Sequence, residues 1–171
     1  IMMKLLRSVL LNRHKVIIIT AITSASLLLA VFILQYLAGI EPCSLCITQR
    51  WPHALVLMLS LCALLPIMAK FRRPILALIG LAFATTASIG AYHLSIEFGW
   101  VAGPATCSGN ITGDTVEELR RQLMAKPFAK CSDIAWSLFG VSLAGYNFMI
   151  STFLTIVCGT SVILNFKRAK K

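Results

Sequence analysis

Residues 16–40 read VIIITAITSASLLLAVFILQYLAGI, 25 positions without a charge. A bilayer core about 30 Å thick is crossed by about 20 apolar helical residues, so this run is long enough for one crossing. Working outward, residues 51–69, 74–96 and 134–166 are also uncharged, over 19, 23 and 33 positions. The last is too long for one span and too short for two; its crossing is placed at about 141–165, with 134–140 as an interfacial lead-in. The expectation is an all-α membrane protein: one domain over residues 1–171, forming a four-helix transmembrane bundle. Its spans lie near 16–37, 51–69, 74–96 and 141–165, with external loops near 38–50 and 97–140.

Composition agrees. Hydrophobic residues make up 58% of the chain and charged residues 13%, with a mean hydropathy of +0.84; a water-soluble domain carries about 25% charge. The net charge of +10 would suit nucleic acid were it not for its distribution. Lys4, Arg7, Arg13 and Lys15, then Lys70, Arg72 and Arg73, then Lys167, Arg168, Lys170 and Lys171 share one face with no acids. Arg50, Arg120, Arg121, Lys126 and Lys130 share the other with Glu41, Glu97, Asp114, Glu117, Glu118 and Asp133. One face therefore carries +11 and the other −1. Basic loops stay cytoplasmic, so both termini are expected in the cytoplasm, with a lipid bilayer rather than nucleic acid as partner. The first run exceeds a signal-peptide core and has no small-x-small cleavage site at its end, so it is expected to persist as a helix.

The six cysteines then sort by depth. Cys43 and Cys46 fall in the first external loop, Cys107 and Cys131 in the second, and Cys62 and Cys158 mid-span, where they are expected as small buried hydrophobes. Four external cysteines allow three pairings; the short C-x-x-C spacing favours Cys43 with Cys46 and Cys107 with Cys131. A Cys107–Cys131 bridge reads equally as a structural staple. The Cys43–Cys46 pair has little loop to constrain, and C-x-x-C is the spacing of dithiols that exchange. Haem attachment needs His where Ile47 stands, and zinc would want a second close pair or a nearby His beside Cys107 or Cys131. No metal is expected. Cys46 precedes the outer N-terminus of the second span, whose positive end points at the C-x-x-C pair and favours a thiolate there. Arg50 follows one helical turn on, although it also reads as an interfacial anchor. Pro52 places the regular start of that helix nearer Thr48.

The segment LAGIEPCSLCITQRWP at residues 37–52 resembles the Gly-x-x-Pro-Cys-x-Leu-Cys-x-x-x-Arg signature of the disulfide-bond formation protein B (DsbB) family. The resemblance continues through GAYH at 90–93, GPATC at 103–107 and CSDIAWSLFG at 131–140, and covers about residues 34–165. It implies a thiol:quinone oxidoreductase of the bacterial inner membrane. Such an enzyme reoxidises a periplasmic thioredoxin-fold, DsbA-like thiol oxidant, passes the electrons to ubiquinone or menaquinone, and so supports disulfide formation in exported proteins. Carried over, Cys107 and Cys131 receive electrons, with Cys107 in the mixed disulfide, and Cys43 with Cys46 reoxidises them. Cys46 engages the quinone, with Arg50 stabilising the charged state and His93 near the same site.

His93 also reads as an interfacial histidine satisfied by water or backbone, and His53 lies close enough in sequence to approach the same pocket. His14 is expected to be solvated. Asp114-Thr115-Val116-Glu117-Glu118 supplies a capping box for a short helix bearing Val116, Leu119, Leu123 and Met124 on one face, ended by Pro127. Ala84, Ser88, Ala91 and Gly145 are expected to allow close helix packing. Two other functions fit parts of the pattern. A vitamin K epoxide reductase-like enzyme would carry its active C-x-x-C in a later helix; a non-enzymatic membrane scaffold would keep all four external cysteines permanently bridged.

Overall fold

The computed structural model describes residues 8–108, 115–117, 120 and 129–169. Helix α1 (Arg13–Tyr36) starts where Asn12 caps it, its side chain accepting from the Lys15 N–H at 3.3 Å. Helix α2 (Ser44–Leu64) is followed by a 3-10 turn (Pro66–Phe71) and by α3 (Arg72–Glu97). A short turn α4 (Ala105–Ser108), strands β1 (Ser137–Leu138) and β2 (Val141–Ser142), and α5 (Leu143–Ala169) complete the described elements. α1 packs on α2, α2 on α3, and α3 most extensively on α5. Val16 and Ile17, Val56 and Ala63, Leu76, Ile79 and Phe83, and Leu154 and Cys158 meet in one core fed by all four long helices.

Polarity runs opposite to that of a soluble bundle. Ile22, Leu29, Leu61, Leu81, Phe153 and Ile156 face outward, while Thr20, Ser24, Ser60, Thr86, Ser151 and Ser161 are buried. In hydrocarbon an apolar exterior costs nothing, and a hydroxyl is best placed inside, bonded to a neighbouring helix. Thr20 Oγ1 accordingly lies 3.2 Å from Ser60 Oγ, and the Ser161 hydroxyl donates to the Leu10 carbonyl at 2.7 Å. Among the described residues, three stretches are long and apolar enough to cross a membrane: Arg13–Tyr36, Pro66–Glu97 and Leu143–Phe166. The chain is thus an all-helical, multi-pass membrane protein. α2, at 21 residues, is about 30 Å long, but Gln49, Arg50 and His53 crowd its first turns and keep it out of this set.

Several boundaries differ from expectation. α2 begins at Ser44 because the Cys43 side chain caps it, and Pro52 sits inside it; it ends at Leu64, ahead of Pro66, rather than at 69. The stretch 134–140 leads into a hairpin pairing Ser137 with Ser142 and Leu138 with Val141. Its turn holds Phe139 at φ 50° and Gly140 at φ 78°, the positive-φ pair of a type I′ turn, so α5 starts at Leu143. Ser88 is exposed and bonds its own helix at the Ala84 carbonyl. Gly145 does allow the close approach expected of it, an added Cβ there coming within 3.6 Å of Leu94 Cδ2 of α3, and the α3–α5 contact also uses Gly90, where a Cβ would sit 3.3 Å from the Phe148 backbone, and Gly80, where it would sit 3.1 Å from Cys158 Cβ. Cys62 is exposed rather than buried: Ser60 and Ala63 take the inward face, which leaves Leu61 and Cys62 outside. The helix expected over 114–127 lies outside the described residues, apart from 115–117 and 120.

Candidate active site

The chain turns at Gly39 (φ 69°) and reaches Cys43 in extended conformation. There the Cys43 sulfur caps α2 by accepting the Cys46 N–H at 3.3 Å. One helical turn brings the two sulfurs to 3.1 Å, both as free thiols sharing a hydrogen bond. Cys107 and Cys131 form a disulfide with Cα atoms 5.0 Å apart, held also by the Cys131 N–H donating to the Cys107 carbonyl at 3.2 Å. Ser44, the first residue of α2, stands between the pairs: its Oγ lies 3.3 Å from Cys107 Sγ and 3.6 Å from Cys131 Sγ. Cys43, Cys107, Cys131 and Ile96 form one buried cluster with Cys46 against it. The four cysteines singled out in the sequence converge, and the loop pair is buried rather than displayed.

Within the C-x-x-C pair at which the helix N-terminus is expected to point, Cys43 is the sulfur that accepts a backbone N–H there. The hydrogen bond shared with Cys46 holds the Cys43 thiol down at about 4, with burial opposing and the nearby His93 and the Cys46 N–H adding to the effect. Its partner Cys46 is pushed up by the same bond. Since only a thiolate alkylates, Cys43 in the reduced protein is expected to react with iodoacetamide at a nearly constant rate between about pH 5 and 8. Its rate should fall only as pH drops through about 4. Cys46 should stay slow throughout, and mass spectrometry of the labelled peptide separates the two.

Arg50 lies where α2 meets α1. Its Nη1 donates to Gln35 Oε1 at 2.6 Å, its guanidinium carbon sits 5.3 Å from the Phe32 ring centroid, and its Nε is buried without a hydrogen-bond partner. Arg50 and Cys46 line one cavity of about 130 Å³ whose other walls include Leu27, Val31, Leu34 and Leu143. His53 borders the same cavity, as the sequence allowed. His93 does not; it is 2% exposed and sits against Cys43, with Nε2 3.6 Å from the sulfur, beside a smaller pocket shared with Glu97. Cys43 Sγ, Cys46 Sγ and His93 Nε2 lie within 4.8 Å of one another. Gln49 Nε2 lies 3.1 Å from His93 Nδ1, on the far side of the ring from the two sulfurs.

Residue reading missed Gln35, Ser44, Gln49 and Asn147, each of which touches a site residue. The available signal was weak but physical: uncharged polar side chains inside otherwise apolar runs need partners in a membrane interior.

Residues 13–161 match the family described as "Disulfide bond formation protein DsbB". The chain belongs to the DsbB family. A relative from Rickettsia prowazekii (strain Madrid E), named "Uncharacterized protein RP370", is 27% identical over 164 residues, covering 94% of this chain and 93% of its own. No solved structure matches the chain.

Proposed function

We propose that the chain is a thiol:quinone oxidoreductase that reoxidises a DsbA-like thioredoxin-fold partner through Cys107/Cys131 and then Cys43/Cys46. α2 serves as the fourth crossing from about residue 51, and the basic segments keep both termini in the cytoplasm of the bacterial inner membrane. The observation that carries the reading is the position of α2's first turn: Ser44 touches the loop disulfide while Cys46 borders the Arg50 cavity.

The chain's own chemistry is two exchanges. The partner's dithiol reduces the Cys107–Cys131 disulfide. A loop thiolate then attacks the Cys43–Cys46 disulfide, and the second loop thiol resolves the mixed bond. Cys107–Cys131 is re-formed, and the electron pair rests on Cys43 and Cys46. A sulfur with a lowered pKa leaves faster, which suits Cys43 to this handover. The cavity fits a quinone because its wall is largely aliphatic and the buried Arg50 Nε has a donor to spare. Arg50, Cys46 and the α1 side chains Leu27, Val31 and Leu34 would hold it. Bound there, a quinone supplies a two-electron, two-proton sink. Arg50 orients toward the cavity because Gln35 and Phe32 fix its guanidinium.

The test is quinone absorbance with purified protein and a reduced thioredoxin-fold partner. Arg50→Ala is expected to raise the KM for quinone by roughly tenfold or more, the worth of a charge-assisted hydrogen bond, with the KM for the partner unchanged. An effect confined to the partner would count against the cavity as the quinone site.

A further inference from the structure

A string of hydrogen bonds crosses the bundle and ends at the reactive sulfur. Ser24 Oγ of α1 lies 3.4 Å from His53 Nδ1 of α2, and His53 Nε2 lies 2.7 Å from Asn147 Oδ1 of α5. Asn147 Nδ2 donates to Gln49 Oε1 at 2.6 Å. Gln49 Nε2 lies 3.1 Å from His93 Nδ1 of α3, and His93 Nε2 lies 3.6 Å from Cys43 Sγ and 3.8 Å from Glu97 Oε1.

Amide chemistry gives the string a direction. An amide nitrogen only donates and an amide oxygen only accepts. His93 Nδ1 must therefore accept from Gln49, which leaves the ring proton on Nε2, toward Cys43. His53 must donate from Nε2 to Asn147, so its Nδ1 accepts the Ser24 hydroxyl. The Thr86 hydroxyl, with its own proton committed elsewhere, favours this orientation of Asn147, and Ser151 adds a contact compatible with it. Ser151 donates to its Oδ1 at 3.1 Å, and Thr86 Oγ1 accepts from its Nδ2 at 3.0 Å, freeing the Thr86 proton for the Gln49 carbonyl at 3.4 Å. Every donor in the string points toward Cys43.

We infer that Asn147 and Gln49 are positioning residues that lock His93 as an Nε2–H donor to the Cys43 sulfur, and that this makes the Cys43–Cys46 disulfide a stronger oxidant of the loop pair. The redox half rests on the proposed function; the tautomer half does not. In the exchange the Cys43–Cys46 bond breaks and Cys107–Cys131 forms. Two electrons pass to the C-x-x-C, one loop proton ends on Cys46, the other goes to water, and Cys43 is left as a thiolate. A donor aimed at that thiolate stabilises the reduced form alone, which makes the disulfide more oxidising. The other ionisable groups facing this spot are Cys46 on α2, Glu97 on α3, Glu41 ahead of α2, and Lys130 and Asp133 of the loop.

The experiment uses the full chain in nanodiscs with 15N-labelled histidine. Long-range proton–nitrogen NMR should show His93 as the Nε2–H tautomer, and Asn147→Leu should give a mixture. Equilibration with glutathione, read by thiol trapping, should show the Cys43–Cys46 disulfide favoured about tenfold more in Asn147→Leu than in wild type, the size of one lost charge-assisted bond. Gln49→Leu should do the same with Asn147 intact, which covers the case where one variant fails to fold. An Nδ1–H tautomer in wild type, zinc protecting both thiols through His93, or an unmoved glutathione equilibrium in a folded variant would each overturn the inference. No readout needs quinone or partner. A chain that fails to turn over quinone yet shows these shifts would sink the proposed function and leave the positioning role standing.

Discussion

Cys46→Ser is expected to lower quinone-dependent oxidation of the partner by at least about 10³-fold, the scale on which loss of an essential nucleophile registers. The geometry assigns this effect to Cys46 rather than to its neighbour. Cys46 lines the cavity with Arg50, whereas Cys43 faces His93 and Glu97 beside the smaller pocket. Serine keeps the size of the side chain but is neither thiolate nor leaving group near neutral pH. The loop pair keeps both sulfurs in the variant, and Cys43, buried in the same cluster as Cys107 and Cys131, has only loop sulfurs left to pair with. Non-reducing peptide mapping should therefore find Cys43 joined to a loop cysteine. Cys62→Ser and Cys158→Ser serve as controls: Cys62 lies on the outer face and Cys158 in the apolar core, so turnover should survive both. Retained turnover in Cys46→Ser would remove the mechanism proposed for the C-x-x-C.

Charge spacing placed three helices within a few residues, because a charge in hydrocarbon is costly enough to mark where a helix leaves it. The same signal misjudged α2. Its true start is set by the Cys43 cap and its end by Pro66, neither of which carries charge. The pairing of Cys107 with Cys131 and the closeness of Cys43 to Cys46 were legible from chain position. Which cysteine the helix N-terminus serves was not, since that turns on a side chain folding back to accept the Cys46 N–H. His93 was noticed as an ionisable group near the outer surface, but its facing toward Cys43 depends on the rotation of α3 against α2. Gln49 and Asn147 carry no charge and sit 98 positions apart, so no local pattern joins them. Their amides meet because α5 returns alongside α3 at Gly90.

Cys131→Ser should convert the loop into a trap for the partner. Cys107 then has no disulfide mate, and its thiolate can attack a partner cysteine activated as a mixed disulfide with a coloured thiol. The Cys107–partner bond forms, the activated bond breaks, and the coloured thiolate leaves with the electron pair, so release of colour counts the adducts. In the reduced wild-type chain Cys131 sits beside Cys107 and resolves the adduct at once, with the partner leaving as its thiolate. At equal time Cys131→Ser should hold at least about tenfold more adduct than wild type, because exchange needs a second sulfur in line and the variant supplies none near Cys107 except the C-x-x-C. Adding Cys43→Ser and Cys46→Ser closes that escape and should raise the yield further. The reciprocal chain, Cys107→Ser with Cys131 kept, decides which sulfur meets the partner. Cys131 is fully buried and Cys107 is 3% exposed; Cys107 lies within the short turn entered from Gly103, where an added Cβ would come within 3.1 Å of the Cys107 Cβ. The resemblance to the family implies that Cys107 is the sulfur that meets the partner. Equal adduct from the two chains would mean that the loop opens as a whole, and the assignment of Cys107 as the partner-facing cysteine would then be wrong.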